Sequence, residues 1–222
     1  GIALCGGHTE ITIGLDHPVL VGQMLGEVEP DDLVTPEGMR EGDAIILTKG
    51  IAVEGTALIA REMHADLEGV VPVEVLERAT AFLHDPGISI VPDARYATRA
   101  ARLHAMHDPT EGGLATALYE LAEASDLGLR IWPHKVHIFP ETELLCRHFG
   151  LNPWGTIASG ALLIGCAAQD ADAVVEALRQ HEIWADVIGQ AVSETGVNVV
   201  EPDGSEKPMP TFRRDEVARL FE

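Results

Sequence analysis

The run 43–48 (DAIILT) is continuously apolar and partly β-branched between turn formers, a pattern that predicts a buried strand. The run 18–27 (PVLVGQMLGE) has the same character and predicts another. Between them, 29–42 carries Pro30, Pro36, Gly38 and Gly42 and predicts a loop, with a solvated acidic face at 27–32. Downstream the apolar positions shift to helical spacing at 55–63 and again at 72–82, and 93–102 is a third helix rich in Ala and Arg. A short strand at 103–106 runs into a turn at 108–113, and 114–124 is helical. There follow a strand at 128–132, a helix at 141–149 stopped by Gly150, a strand at 160–168, and a helix at 170–181. This last helix has Asp170 as its expected N-cap and Val174, Val175 and Leu178 on one face. Strands at 185–191 and 196–200 precede a polar stretch at 201–211 and a final helix at 215–220. Strands separated by helices without strict one-to-one alternation predict an α+β fold of mixed α/β layers. The opening residues, GIALC, read as the middle of a strand. The expectation is therefore a chain lacking its upstream part, with 1–40 a strand remnant of one domain and 41–222 a second domain.

Charge narrows the partners. With 15 Lys+Arg against 36 Asp+Glu the 222-residue chain has a net charge of -21, so general electrostatic attraction to nucleic acid or anionic membrane is excluded. The longest nearly uncharged stretch, 151–169, is broken by Pro153 and Gly160 and predicts no membrane span. Cys5, Cys146 and Cys166 lie far apart in no metal-ligand spacing, and read as reduced thiols within core elements of a cytoplasmic protein.

The chemistry concentrates at His104-Ala105-Met106-His107-Asp108-Pro109-Thr110-Glu111-Gly112-Gly113-Leu114. A strand ends, a carboxylate sits at its exit, and two glycines allow close backbone approach before a helix begins. Metal–phosphate sites are built this way, because Mg²⁺ takes a few carboxylates plus phosphate oxygens. An ordinary turn in which Asp108 and Thr110 cap the helix is the open alternative. The segment Gly6-Gly7-His8-Thr9 offers a second phosphate cradle or a simple turn. His107, beside Asp108, is a candidate general base, whereas His104, His134 and His137 read as ordinary surface or satisfied histidines. Lys49, in a Thr-Lys-Gly turn after the strand 43–48, occupies a usual place for ligand contact, yet a solvated lysine is the preferred reading. Trp154 is expected to cap a core edge.

Three segments together resemble the AIR synthase (PurM-like) superfamily, which includes selenophosphate synthetase, thiamine-monophosphate kinase and the hydrogenase-maturation carbamoyl dehydratase HypE. Gly6-Gly7-His8-Thr9 is similar to the Gly-Gly-x-Thr element of the family's first domain. Asp108-Pro109-Thr110-Glu111-Gly112-Gly113-Leu114 is similar to the Asp-Pro-Thr-x-Gly-Gly-Leu signature of HypE, and Ala158-Ser159-Gly160-Ala161-Leu162-Leu163 to a later strand of its second domain. The resemblance implies the C-terminal domain of an ATP- and Mg²⁺-dependent enzyme that works as a homodimer on a small-molecule substrate. Asp108 would bind the metal, while Gly6, Gly7, His8, Thr9, Thr110, Gly112 and Gly113 would contact nucleotide. It also implies that this segment alone binds ATP poorly, since most of the first domain is absent. The HypE family ends in a Pro-Arg-Ile-Cys tail, whereas this chain ends Arg219-Leu220-Phe221-Glu222, so thiocarbamate dehydration is not expected. A non-catalytic binding or assembly module is the rival expectation.

Overall fold

Strand β1 (Ala44–Thr48) is buried along its whole length, as its unbroken apolar sequence requires of a strand covered on both faces. The chain divides into two units, Gly1–Leu33 and Val34–Glu222, with β1 in the second, and the computed structural model describes residues 2–221. In the second unit β1 is followed by helices α1 (Val53–Glu62), α2 (His64–Leu67), α3 (Val73–Ala81) and α4 (Val91–Ala100), then strand β2 (Leu103–His107) and helix α5 (Gly113–Ser125). Strand β3 (Gly128–Ile131), helix α6 (Pro140–Phe149), strand β4 (Leu163–Cys166), helix α7 (Ala171–Arg179) and strands β5 (Ala185–Val192), β6 (Val197–Val200) and β7 (Glu206–Pro208) complete it. The seven strands form one sheet in the order β2-β4-β1-β5-β3-β6-β7. Every pairing is antiparallel except β3 with β6.

Side chains alternate across the sheet. On one face Ile45 and Leu47 meet Leu114, Leu118 and Leu121 of α5; on the other Ala44, Ile46 and Ile164 meet Ala97 of α4 and Val174 and Leu178 of α7. A separate apolar cluster joins α1, α3 and α6 through Ile59, Leu76 and Leu145. The mixed α/β layering expected from the sequence is present, and Val174, Val175 and Leu178 are buried together as anticipated.

Several expectations are overturned. Residues 18–27 form no strand, nor do the described residues of the opening run; Ile11 and Val21 are 98% and 92% exposed. An extended apolar run becomes a strand only when a neighbouring backbone takes up its N–H and C=O groups. Among the described residues of the first unit the one regular element is a single 3₁₀ turn, Pro30–Asp32. Cys5 accordingly is exposed rather than in a core element, whereas Cys146 and Cys166 are buried. The final helix is a 3₁₀ turn, Glu216–Leu220; Asp170 does occupy the N-cap position of α7, though its side chain makes no capping bond. Gly1 and Glu222, the ends of the expected elements and tail, lie outside the described residues. Among the described residues no helix is long and apolar enough to cross a membrane.

Candidate functional site

Strands β1 and β2 both pair antiparallel with β4, with Leu47 and His107 each opposite Leu163. The two strands therefore run in the same direction and leave the sheet at the same end, where β4 begins. Exits of parallel-running strands at one sheet end are where α/β folds build ligand sites. The segment leading into β4 ties the two exits together: Ala158 N donates to Thr110 O at 3.2 Å, and Gly160 O accepts from Lys49 Nζ at 2.9 Å.

At the β2 exit, Asp108 has 61% of its side chain exposed. Its Oδ1 lies 3.8 Å from the Nδ1 of His107. The other ring nitrogen of His107, Nε2, lies 2.8 Å from Glu120 Oε2, so the imidazole stands between two carboxylates. Thr110 uses its carbonyl to accept from Gly113 N at 3.0 Å and from Ala158 N. Gly112 and Gly113 have φ of 78° and 65°, the left-handed region that favours glycine. A Cβ on Gly113 would stand 2.5 Å from Trp154 O and 2.7 Å from Thr156 O, so this glycine lets α5 start hard against the 154–156 turn. Trp154 packs half-buried against the core, as expected.

Asp108 and Thr110 do not cap α5. The N-cap residue is Gly112, and its N–H donates to Asp215 Oδ2 at 2.8 Å. Asp215 Oδ1 accepts from Val217 N at 2.9 Å, and Glu216 Oε2 accepts from Asn152 N at 2.9 Å. The C-terminal residues thus pin the β2-exit loop through the Asp215 carboxylate and the neighbouring 152–156 turn through that of Glu216. Both glycine N–H groups are engaged within the chain. Asp108 is left as an exposed oxygen ligand suited to a hard cation, while Gly112 and Gly113 offer a phosphate no N–H that is not already used.

The β1 exit is the opposite. Lys49 is 7% exposed and donates to Ser89 O at 2.8 Å and Gly160 O at 2.9 Å. Its Nζ lies 3.0 Å from Oδ2 of Asp93, which is fully buried in the first turn of α4. The solvated-lysine reading is overturned: with an opposite charge and two carbonyls waiting, the ammonium is drawn inside. Backbone strain accompanies this, since Lys49 and Ala52 both have left-handed φ, 57° and 56°, a conformation costly for side-chain-bearing residues.

Gly6, Gly7, His8 and Thr9 belong to the first unit. All four are exposed, a Cβ on Gly6 or Gly7 would meet nothing within 4 Å, and His8 Nε2 lies 3.7 Å from Glu10 Oε2. His104 is satisfied by Asp43, with Nδ1 2.9 Å from both carboxylate oxygens. His137 is half-buried against Phe139 and Trp184, and this burial holds its pKa below the usual value. Among the described residues no group of three His, Cys, Asp or Glu side chains is placed to hold a metal ion. Sequence reasoning missed Asp93, Asp215 and Glu216, whose importance depends on partners far away in the chain.

The sheet, its helical layers and its glycine-turned strand exit define a PurM-like α/β protein. The family model described as AIR synthase related protein, C-terminal domain, matches residues 40–201, and the chain belongs to that family. It is 29% identical to a putative hydrogenase expression/formation protein of Methanocaldococcus jannaschii over 90% of this chain and 57% of the relative. It is also 29% identical to carbamoyl dehydratase HypE of Cupriavidus necator, over 77% of this chain and 46% of that one. The chain is HypE-like, and it spans about half the length of the curated relatives it matches. A solved structure of hydrogenase maturation protein HypE in complex with ATP shares the fold, with a TM-score of 0.66 at 20% identity over 86% of this chain and 57% of that one.

Proposed function

We propose that the chain is the C-terminal part, 41–222, of an ATP-dependent, HypE-like cytoplasmic enzyme, with 1–40 belonging to a first domain that is shared across a homodimer. The observation that carries this reading is the exposed, uncapping carboxylate of Asp108 at a strand exit. It is joined by the likeness to HypE, one of whose structures contains ATP. In this reading Asp108 supplies one oxygen ligand to Mg²⁺, which with ATP provides a phosphoryl group and the charge neutralisation its transfer needs. The reaction is phosphorylation of an oxygen of a small substrate. Thr110 orients the loop through its carbonyl, and His107, held by Glu120, is the group beside the metal position able to accept a proton. Nucleotide contact by the Gly112 N–H requires its release by Asp215, and contact by the Gly113 N–H its release by the Thr110 carbonyl; Gly6, Gly7, His8 and Thr9 are the nucleotide contacts proposed within the first unit.

Asp108→Asn in the complete protein tests the proposal. The amide keeps size but weakens metal coordination, so Mg²⁺-ATP affinity by calorimetry is expected to fall at least about tenfold, roughly 1.4 kcal/mol. Unchanged Mg²⁺-dependent binding by a folded variant would remove Asp108 from the site.

A further inference from the structure

Of the three tryptophans, Trp132 alone stays outside the core. Trp154 and Trp184 pack against the apolar cluster around α5, whereas Trp132, half-buried just past the end of β3, joins none of the apolar clusters formed by the described residues. Its backbone N–H donates to Ile188 O at 2.7 Å, so the residue is held in place while its side chain is left out of the packing. Its indole N–H makes no hydrogen bond within the described residues. A large aromatic side chain that the fold does not use is the kind of group that anchors a partner.

Trp132 lines a hollow of about 260 Å³ together with Ala44, Val187, Gln190 and, from the first turn of α7, Ala171 and Asp172. The hollow lies where β1 begins and β4 ends, at the end of the sheet away from the two strand exits. Small-molecule sites run to about 300–1,000 Å³. This one is smaller, a size for a single side chain from another chain.

Charge selects that side chain. Asp172 is exposed and has no hydrogen-bond or ion-pair partner among the described residues. The helix dipole alone favours a carboxylate in a first turn, so Asp172 gains meaning only from sharing the hollow with Trp132. No Lys or Arg lines the hollow, and Arg130, opposite Gln190 on the next strand, is paired with Glu206 at 3.3 Å. An aromatic ring and an unpaired carboxylate together suit a guanidinium, which stacks on the ring and donates a fork of N–H groups to the carboxylate. An anion would be repelled by Asp172, and an apolar group would desolvate that carboxylate without compensation.

We infer that the hollow between Trp132 and the first turn of α7 docks an arginine side chain presented by a partner protein. The net charge of -21 draws a basic segment in and speeds its encounter with the surface. The surface does not depend on the nucleotide reading, and its test contains no nucleotide.

Acetyl-Gly-Arg-Gly-amide and its counterparts with citrulline or glutamate at the centre separate the outcomes on the ¹⁵N-labelled 222-residue chain. Citrulline keeps the length and planar head of arginine and lacks its charge. At about 10 mM, enough to saturate a site with a Kd near 1 mM, the arginine peptide is expected to shift the Trp132 indole N–H and the backbone amides of Asp172 and Gln190. The citrulline and glutamate peptides are expected to bind at least about tenfold more weakly. Trp132→Ala and Asp172→Asn should each weaken the arginine response by a similar factor, and the second, at an exposed position, serves should the first fail to fold. Equally large shifts at Asp31 and Asp32 would mark a general attraction of a basic peptide to an acidic chain and overturn the inference. Trp132 shifts that follow the chain's own concentration, without peptide, would give the hollow to a second copy and likewise overturn it. So would an absent response at Trp132, an equal response to citrulline, or an undiminished response in either folded variant.

Discussion

The two strand exits that share one end of the sheet solve the placement of charge in opposite ways. At β1, Lys49 and Asp93 are both withdrawn from water and committed to each other and to backbone carbonyls. At β2, Asp108 stays in solvent, while the Gly112 N–H is secured by the Asp215 carboxylate from the far end of the chain and the Gly113 N–H by the Thr110 carbonyl. The first arrangement binds the fold together at the cost of desolvation. The second leaves a ligand-grade oxygen free on a loop whose geometry is held by other groups. Burial and exposure at equivalent topological positions thus separate a charge that organises structure from one available for chemistry.

Substitutions break this contrast to very different degrees. Lys49→Met should be the most damaging, because it leaves Asp93 buried without a counter-charge; a loss of about 3–5 kcal/mol in urea unfolding is expected. Pairing it with Asp93→Leu should recover most of that loss, since an apolar pair carries no desolvation penalty. Asp215→Ala removes the acceptor for Gly112 N and should cost about 1–2 kcal/mol, with faster hydrogen exchange at the Gly112 amide as the local signature. Asp108→Asn should leave unfolding free energy within a few tenths of a kcal/mol of the parent, as expected of an exposed side chain that caps nothing. A large destabilisation by Asp108→Asn would erase the distinction between the exits.

The smallest effect is at His137. Burial lowers its pKa, so between the folded and unfolded values the unfolded chain binds the extra proton. Its contribution to stability is then present above the ordinary imidazole pKa of about 6.5 and is lost as pH falls below it. His137→Gln should flatten that part of the pH–stability curve without changing the plateau above pH 7.

How far the sequence carries depends on whether a residue's partners are near it. Strand β1 is legible because both its faces are apolar, and α5 and α7 because their buried positions recur at helical spacing. Residues 18–27 mislead because local pattern reports willingness to form a strand and says nothing of a pairing partner. β7 escapes notice for the converse reason: at the sheet edge its three residues are all exposed, and Lys207 there is the charge that edge strands carry. Lys49 and Asp93 are separated by many residues, and a lysine without its partner in view reads as solvated. Gly112 and Asp215 are more distant still. The glycines announce a turn at the β2 exit, but which group takes their N–H donors is a tertiary fact.

The unequal placement of the three thiols makes the chain chemically addressable at one point. Burial pushes Cys146 and Cys166 up to about 11, so near pH 8 only about one in a thousand of either is thiolate. Cys5 stands in solvent. A maleimide dye added to the native chain therefore attaches within the first unit and nowhere in the second, giving a single-site reporter on the Gly6–Thr9 segment without any engineered cysteine.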